Sequence, residues 1–360
     1  MTFRKIILWL HRWVGLGAGG VILVLAGTGA LMVWEHELDA ALNPKLLRAT
    51  PNASRVSLDT LVARFREQHP REGRAIGGIK LPDHPGETLR MLAGGGRMFS
   101  FDPATGDELG SRPAREGFMR RVTELHLKLM LGPTGAWIVG VATALTLGLA
   151  ASGLWLWWPL RIVWFNRRLA FRRFNFELHS IAGLYSSVFL LIVAFTGVTM
   201  SFASTFDPWI RQVTGNAPPP RPPWVEPQPD APRLAFDDVV RLAEAALPGA
   251  TVVSFSPPFN PRGTFRVQLR FPEDRTPGGR SIVHVHPFTG EALQILSTRG
   301  IGAGNWYIHF SHSLHTGELW GLPTQLLALF VCLALLAQIV SGVILWWKPR
   351  AAPALNTIRA

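Results

Sequence analysis

Four long apolar stretches stand out from an otherwise mixed pattern of hydrophobic and polar positions. They run Trp13–Trp34, Trp137–Trp158, Ile181–Phe202 and Leu322–Trp347. Each matches the roughly 20 residues that a helix needs to cross ~30 Å of hydrocarbon. A single segment in lipid can satisfy its own backbone polar groups only as a helix. Between the spans the pattern changes. Leu58–Gln68 (LDTLVARFREQ) and Phe236–Ala246 (FDDVVRLAEAA) place apolar residues at helical spacing, whereas Thr264–Phe271 alternates as a strand does. Phe101–Leu109 (FDPATGDEL) and Val285–Leu293 (VHPFTGEAL) read as tight turns between strands. The tract 217–232 is too proline-rich for helix or sheet and predicts an extended linker.

The pattern occurs twice. The stretch LHRWVGLGAGGVILVLAGTGALMVWEHELD from Leu10 aligns without a gap with LHSIAGLYSSVFLLIVAFTGVTMSFASTFD from Leu178. His11 meets His179, Gly15 meets Gly183, Thr28-Gly29 meets Thr196-Gly197 and Asp39 meets Asp207. At a second constant offset, His126 meets His315, Gly132 meets Gly321, Ser152-Gly153 meets Ser341-Gly342, and Leu156-Trp157-Trp158 meets Leu345-Trp346-Trp347. The two turns above pair as well. Each half is span, intervening module, span, so the repeat is parallel.

The expected fold is therefore an α-helical membrane protein: a four-helix transmembrane bundle from an internal duplication, with two small α+β modules. The divisions are 1–34, the first span; 35–117, the first module; 118–158, the second span with an outward extension; and 159–177, a basic loop. They continue with 178–203, the third span; 204–304, the second module with the linker 217–232; 305–347, the fourth span with an extension; and 348–360, a tail.

Composition fits this reading. Of 360 residues, 48% are hydrophobic and 17% charged, too apolar for an ordinary soluble chain. There are fourteen Trp against two Tyr, and many of the Trp sit at span ends, where interfacial aromatics belong. The net charge of +12 would suggest nucleic acid in a soluble protein. Here much of it flanks spans and sets orientation, so no nucleic-acid partner is expected. Arg4, Lys5 and Arg12 precede the first span. Arg161, Arg167, Arg168, Arg172 and Arg173 lie between the second and third, and Lys348, Arg350 and Arg359 follow the fourth. Both termini and the basic loop are thus expected in the cytoplasm, and the two long intervening segments on the other side. The first span is not read as a signal peptide. Its apolar core exceeds the ~7–15 residues of a signal h-region, and a close copy of it recurs mid-chain.

Cys332 is the single cysteine and lies within an apolar run. It permits no intrachain disulfide, no cysteine zinc site, no iron–sulfur cluster and no CxxCH haem attachment. Any haem would be held non-covalently.

Eleven histidines occur, and the repeat places four of them. His11 and His179 open spans that run outward, so they share a level near the cytoplasmic face. His126 and His315 precede spans that run back, so they share a level near the outer face. A duplicated bundle would bring each pair into opposition. Two opposed neutral imidazoles are what a six-coordinate haem b requires, and small residues let helices close around the macrocycle. Gly15, Gly17, Gly19, Gly20 and Gly183 are candidates for that room. A histidine at a membrane interface is more often a polar side chain at a comfortable depth. Four that obey both repeat and topology are harder to dismiss. The outer pair lies some way before the apolar part of its spans, and a helix kinked at Gly132-Pro133 and at Gly321-Leu322-Pro323 is expected. His309, His312 and His315 are spaced by three. His312 is an alternative to His315 as ligand, or His309 and His312 contact substrate, or the three form a plain polar face. His36, His69, His84, His284 and His286 receive no role. The recurring Ser-Gly-x-x-Leu-Trp-Trp is read as tight packing followed by an aromatic anchor.

Taken together, LHRWVGL, LHSIAGLY, both SGxxLWW endings and the DPATGDEL and HPFTGEAL turns resemble the PepSY-associated transmembrane-helix family. These are iron-regulated inner-membrane proteins that include ferrisiderophore reductases, and the resemblance covers nearly the whole chain. It implies four spans in a bacterial inner membrane, two periplasmic PepSY-like modules and, in the reductase members, two b haems. The axial ligands would be His11, His179, His126 and His315. Ferric siderophore would be reduced at the periplasmic haem, because reduction weakens the hold of hard oxygen donors on iron. Some relatives carry a fused flavin reductase domain. This sequence has no GxGxxG in a strand–helix context, so a separate flavin reductase or a membrane quinol is the expected donor. Two further readings remain open, a siderophore or iron transporter and a haem-free sensor or inhibitory module.

Overall fold

The computed structural model describes residues 2–51, 55–164, 170–274, 276 and 278–347. Arg167, Arg168, Lys348, Arg350 and Arg359 from the orientation argument lie outside them. The chain opens with α1 (Phe3–Met32), α2 (Glu35–Leu42), α3 (Pro44–Leu47) and α4 (Leu58–Gln68). Four strands follow, β1 (Gly78–Lys80), β2 (Leu89–Ala93), β3 (Arg97–Phe101) and β4 (Glu108–Pro113), and then α5 (Phe118–Lys128) and α6 (Gly132–Trp157). The same order then recurs, without a counterpart of α3. It comprises α7 (Phe171–Ser201), α8 (Ala203–Thr214), α9 (Phe236–Ala246), β5 (Thr251–Ser256), β6 (Phe265–Arg270), β7 (Ser281–Val285), β8 (Ala292–Leu296), α10 (Ala303–Thr316) and α11 (Leu322–Trp347).

Helices α1, α6, α7 and α11 are long and apolar enough to cross a membrane. α1 and α7 begin well before the apolar stretches, at Phe3 and Phe171, because a helix satisfies its own backbone in water as well as in lipid. α1 packs on α6 and α11, and α7 packs on the same two. The bundle is thus a closed ring in which α1 and α7 stand on one diagonal. Small side chains line the interior, among them Ala18, Ala26, Ala142, Ala194, Ala328 and Ser341, while Leu8, Trp137, Val188, Phe330 and Leu333 remain exposed. That distribution suits helices joined by close packing and bathed in hydrocarbon.

The two expected modules join into one antiparallel sheet of eight strands, ordered β4-β3-β2-β1-β5-β6-β7-β8. The joint is β1 against β5, with Ile79 opposite Phe255 and Lys80 opposite Ser254. Helices α4 and α9 cover one face, and a single core runs beneath both. Leu58, Phe65 and Ile79 from the first module share it with Val239, Phe255 and Val267 from the second. Burying each such Leu, Phe or Val contributes about 1.5–3 kcal/mol, which makes separation of the modules unfavourable. The helix starts also cap each other. Asp59 accepts from the backbone N–H groups of Phe236 and Asp237 at 2.8 and 3.0 Å, and Ser57 donates to Asp237 at 2.6 Å.

The turns are built as their sequences suggest. Asp102 accepts from the N–H of Ala104 at 2.9 Å, and Nδ1 of His286 accepts from the N–H of Thr289 at 3.1 Å, each closing a reversal between strands. The tract 217–232 carries no helix or strand and is pinned to the sheet by Val225 N–H donating to the Arg262 carbonyl at 3.0 Å. The sheet is tied to the bundle by Arg112 of β4, which donates to both oxygens of Asp39 on α2 at 2.9 and 2.5 Å.

Candidate functional site: two facing histidine pairs

His11 lies on α1 and His179 on α7, the diagonal helices, and their rings face each other with centroids 6.2 Å apart and planes at 88°. At the sheet end of the bundle, His126 on α5 and His315 on α10 face each other at 6.3 Å and 66°. A metal–imidazole bond of about 2 Å on each side of one ion puts ring centroids roughly 6 Å apart. Both pairs have that spacing.

The outer pair is delivered by breaks rather than the expected kinks. Leu129 and Met130 take φ of 50° and 60°, and Gly132 takes 60°, so α5 ends in a left-handed turn and folds against α1 and α6. In the second half, Gly317 and Gly321 take φ of 81° and 70°. Left-handed backbone costs about 1–2 kcal/mol per non-glycine residue. The packing of α5 on two helices offsets that strain at Leu129 and Met130 and fixes His126.

Each imidazole is anchored through Nδ1 to a hydroxyl on a long helix of its own half. His11 meets Ser152 at 2.9 Å, and His179 meets Ser341 at 3.2 Å and the carbonyl of Gln338 at 2.9 Å. His126 meets Thr28 at 2.8 Å and is also bonded to the Leu25 carbonyl. His315 meets Thr196 at 3.2 Å and the Val193 carbonyl at 2.9 Å. The hydroxyls are themselves committed as donors. Ser152 gives its proton to Leu149, Thr28 to Val24, Thr196 to Ile192 and Ser341 to Ala337. They must therefore accept from the histidines, as the carbonyls can only do. All four Nδ1 atoms then carry the proton, and each Nε2 keeps a free lone pair, the form a metal-ligating histidine takes.

A glycine follows each hydroxyl and abuts the same ring. A Cβ on Gly153 would lie 3.2 Å from Cε1 of His11, one on Gly342 3.5 Å from that of His179, one on Gly29 3.5 Å from that of His126, and one on Gly197 3.2 Å from that of His315. The glycines expected from the sequence to make that room, Gly15, Gly17, Gly19, Gly20 and Gly183, lie elsewhere. A Cβ on Gly15 would meet Leu149 at 3.8 Å, one on Gly19 would meet Ile339 at 3.8 Å and one on Gly183 would meet Gln338 at 3.4 Å, whereas Gly17 and Gly20 face open space. Ser-Gly thus anchors and clears space for a histidine, beyond the packing expected of it from the sequence. The available signal was that every span carries one hydroxyl–glycine dipeptide, one for each histidine.

An apolar void of about 100 Å³ adjoins the outer pair, lined by Leu25, Ala26, Val193, Val331 and Leu335. The donor set of paired neutral imidazoles in apolar surroundings fits a haem b at each end; His11 and His179 would hold one, and His126 and His315 the other.

His312 is exposed and does not join the pair; it lines a polar cleft between bundle and sheet. His309 is half-buried, and burial, with Arg280 and Arg211 nearby, holds its pKa below the usual histidine value. His36 and His84 also line the cleft. His69 pairs with Glu108 at 2.7 Å, and His284 bonds Thr264 at 2.8 Å, so these two are satisfied within the sheet module.

The fold and site define a helical membrane protein whose sheet module stands on a ring of four long helices with histidines paired at both ends. The chain belongs to the family described as the PepSY-associated TM region, whose profile matches residues 8–348. No curated protein matches the chain.

Proposed function

We propose that this protein is a di-haem b oxidoreductase of a bacterial inner membrane that carries electrons outward to reduce ferric siderophore and release ferrous iron. One observation carries the reading: two facing pairs of imidazoles, at opposite ends of one bundle, all four locked with Nε2 free. A haem at each pair supplies a one-electron couple. The chain's residues orient the ligands, surround them with apolar side chains and exclude water.

The basic flanks support placing both termini in the cytoplasm and the sheet module in the periplasm. The recurring element order and the matching hydroxyl–glycine anchors support an internal duplication. Electrons would come from a separate flavin reductase or a membrane quinol.

The test is absorbance of the detergent-solubilised protein. A dithionite-sensitive Soret band with about two haems per chain is expected, together with ferrous iron trapped from a ferric chelate. Protein that folds without such a band would end this reading.

A further inference from the structure

Helix α10 carries His315 and packs along α7. Hydrogen bonds fasten the two helices at two levels. At the lower one, Nδ1 of His315 meets Thr196 and the Val193 carbonyl. At the upper one, the Tyr307 hydroxyl lies 2.6 Å from that of Thr199. Thr199 is 2% exposed and already donates to the Thr196 carbonyl at 3.0 Å. A threonine hydroxyl has one proton, so Tyr307 is the donor. Thr199 thereby links Tyr307 to the residue whose side chain accepts from His315.

The first half is built differently. By the repeat offsets, Leu31 stands where Thr199 does and Phe118 where Tyr307 does. Neither side chain can hydrogen-bond, and both are exposed. A helix pinned at one level can still tilt or turn about that point. Tyr307 and His315 are separated by about 12 Å along the helix axis, so a pin at each removes that freedom from α10.

We propose that Tyr307 is a positioning residue for the outer site: through Thr199 it fixes α10 on α7 and so sets the direction in which His315 presents its ring. The inference deepens the reading of the outer pair as haem ligands and rests on it. Tyr307→Phe keeps the packing of the ring and removes the pin.

The test compares Tyr307→Phe and Thr199→Val with Thr199→Ser, which keeps the hydroxyl, in full-length solubilised protein. In the ferric state, the lowest-field g value of the outer haem follows the angle between its axial rings, 66° for His126 and His315. Tyr307→Phe and Thr199→Val should move that value and speed haem loss from the outer site by about threefold to tenfold. Thr199→Ser should match the parent, and the inner signal should stay in place in every variant. Nitrogen-15 spectra of reduced, histidine-labelled protein report the His315 Nδ1 proton with or without haem, and that signal should move in the same two variants. Parent-like signals in Tyr307→Phe, equal shifts at all four histidines, or no rescue by Thr199→Ser would overturn the proposal. A displaced His315 signal in protein without a Soret band would sink the haem reading alone.

Discussion

Nδ1 of His315 lies 2.9 Å from the carbonyl oxygen of Val193. A carbonyl only accepts, so this contact fixes the proton on Nδ1 and leaves Nε2 unprotonated. The same logic holds at the other end of the bundle through His179 and Gln338. The pairs are built alike but on different helices, so each should fail alone. His315→Ala or His126→Ala should remove about half of the bound haem and abolish ferric reduction. His11→Ala should also lower haem to about half while leaving the outer site reducible by dithionite. Haem-to-protein ratios of the four single variants decide this, and unchanged reductase activity in His126→Ala or His315→Ala would break the outer-pair assignment.

Among the described residues, Ser152 is the one hydrogen-bond partner of Nδ1 of His11, whereas His179 has Gln338 as well as Ser341. Ser152→Ala leaves a buried donor unsatisfied, a loss of about 1–3 kcal/mol. Ser341→Ala leaves its histidine still bonded. Haem retention on dilution should fall clearly more in Ser152→Ala, and the α-band of the inner site should shift in that variant. Equal retention in the two would show that the carbonyl is not the second anchor.

A Cβ at Gly197 would lie 2.9 Å from Cγ2 of Thr143 and 3.2 Å from Cε1 of His315. Gly197→Ala should therefore push the imidazole out of line, with an overpacking loss of about 1–3 kcal/mol, and should perturb the outer haem spectrum. Gly20→Ala, where a Cβ meets nothing within 4 Å, should leave both melting temperature and spectrum near those of the parent. Reversed ranking in thermal melts would place the crowded glycine elsewhere.

Hydrogen bonds from Arg112 hold the Asp39 carboxyl below the usual carboxylate range, against the opposing effect of partial burial. The folded-state pKa is thus lower than the unfolded value of about 3.9. The pair's contribution to stability is complete above the unfolded value and fades as pH falls through the folded one. Asp39→Asn should melt lower than the parent at neutral pH, and the difference should shrink as pH falls below about 4. A gap as wide at the lowest pH at which the protein stays folded as at neutral pH would mean that Asp39 acts through packing and not charge.

Hydropathy and the repeat together made the four spans legible from the sequence, because a lipid-spanning segment has only one way to satisfy its backbone and a duplicated pattern marks equivalent positions. Helical spacing gave α4 and α9 with the bounds that the structure shows, Leu58–Gln68 and Phe236–Ala246. The same pattern singled out His11, His179, His126 and His315, and the structure sets them face to face. It could not show that the two modules fuse through Ile79 and Phe255 into one sheet, since pairing between strands so distant in the chain leaves no local signal. Nor could it show that Ser152 and Thr28 anchor histidines, or that Tyr307 meets Thr199. Periodicity records which face of an element is apolar. Which side chain on one helix meets which ring on another depends on how far and at what angle the helices close, and that is settled only when the whole bundle packs.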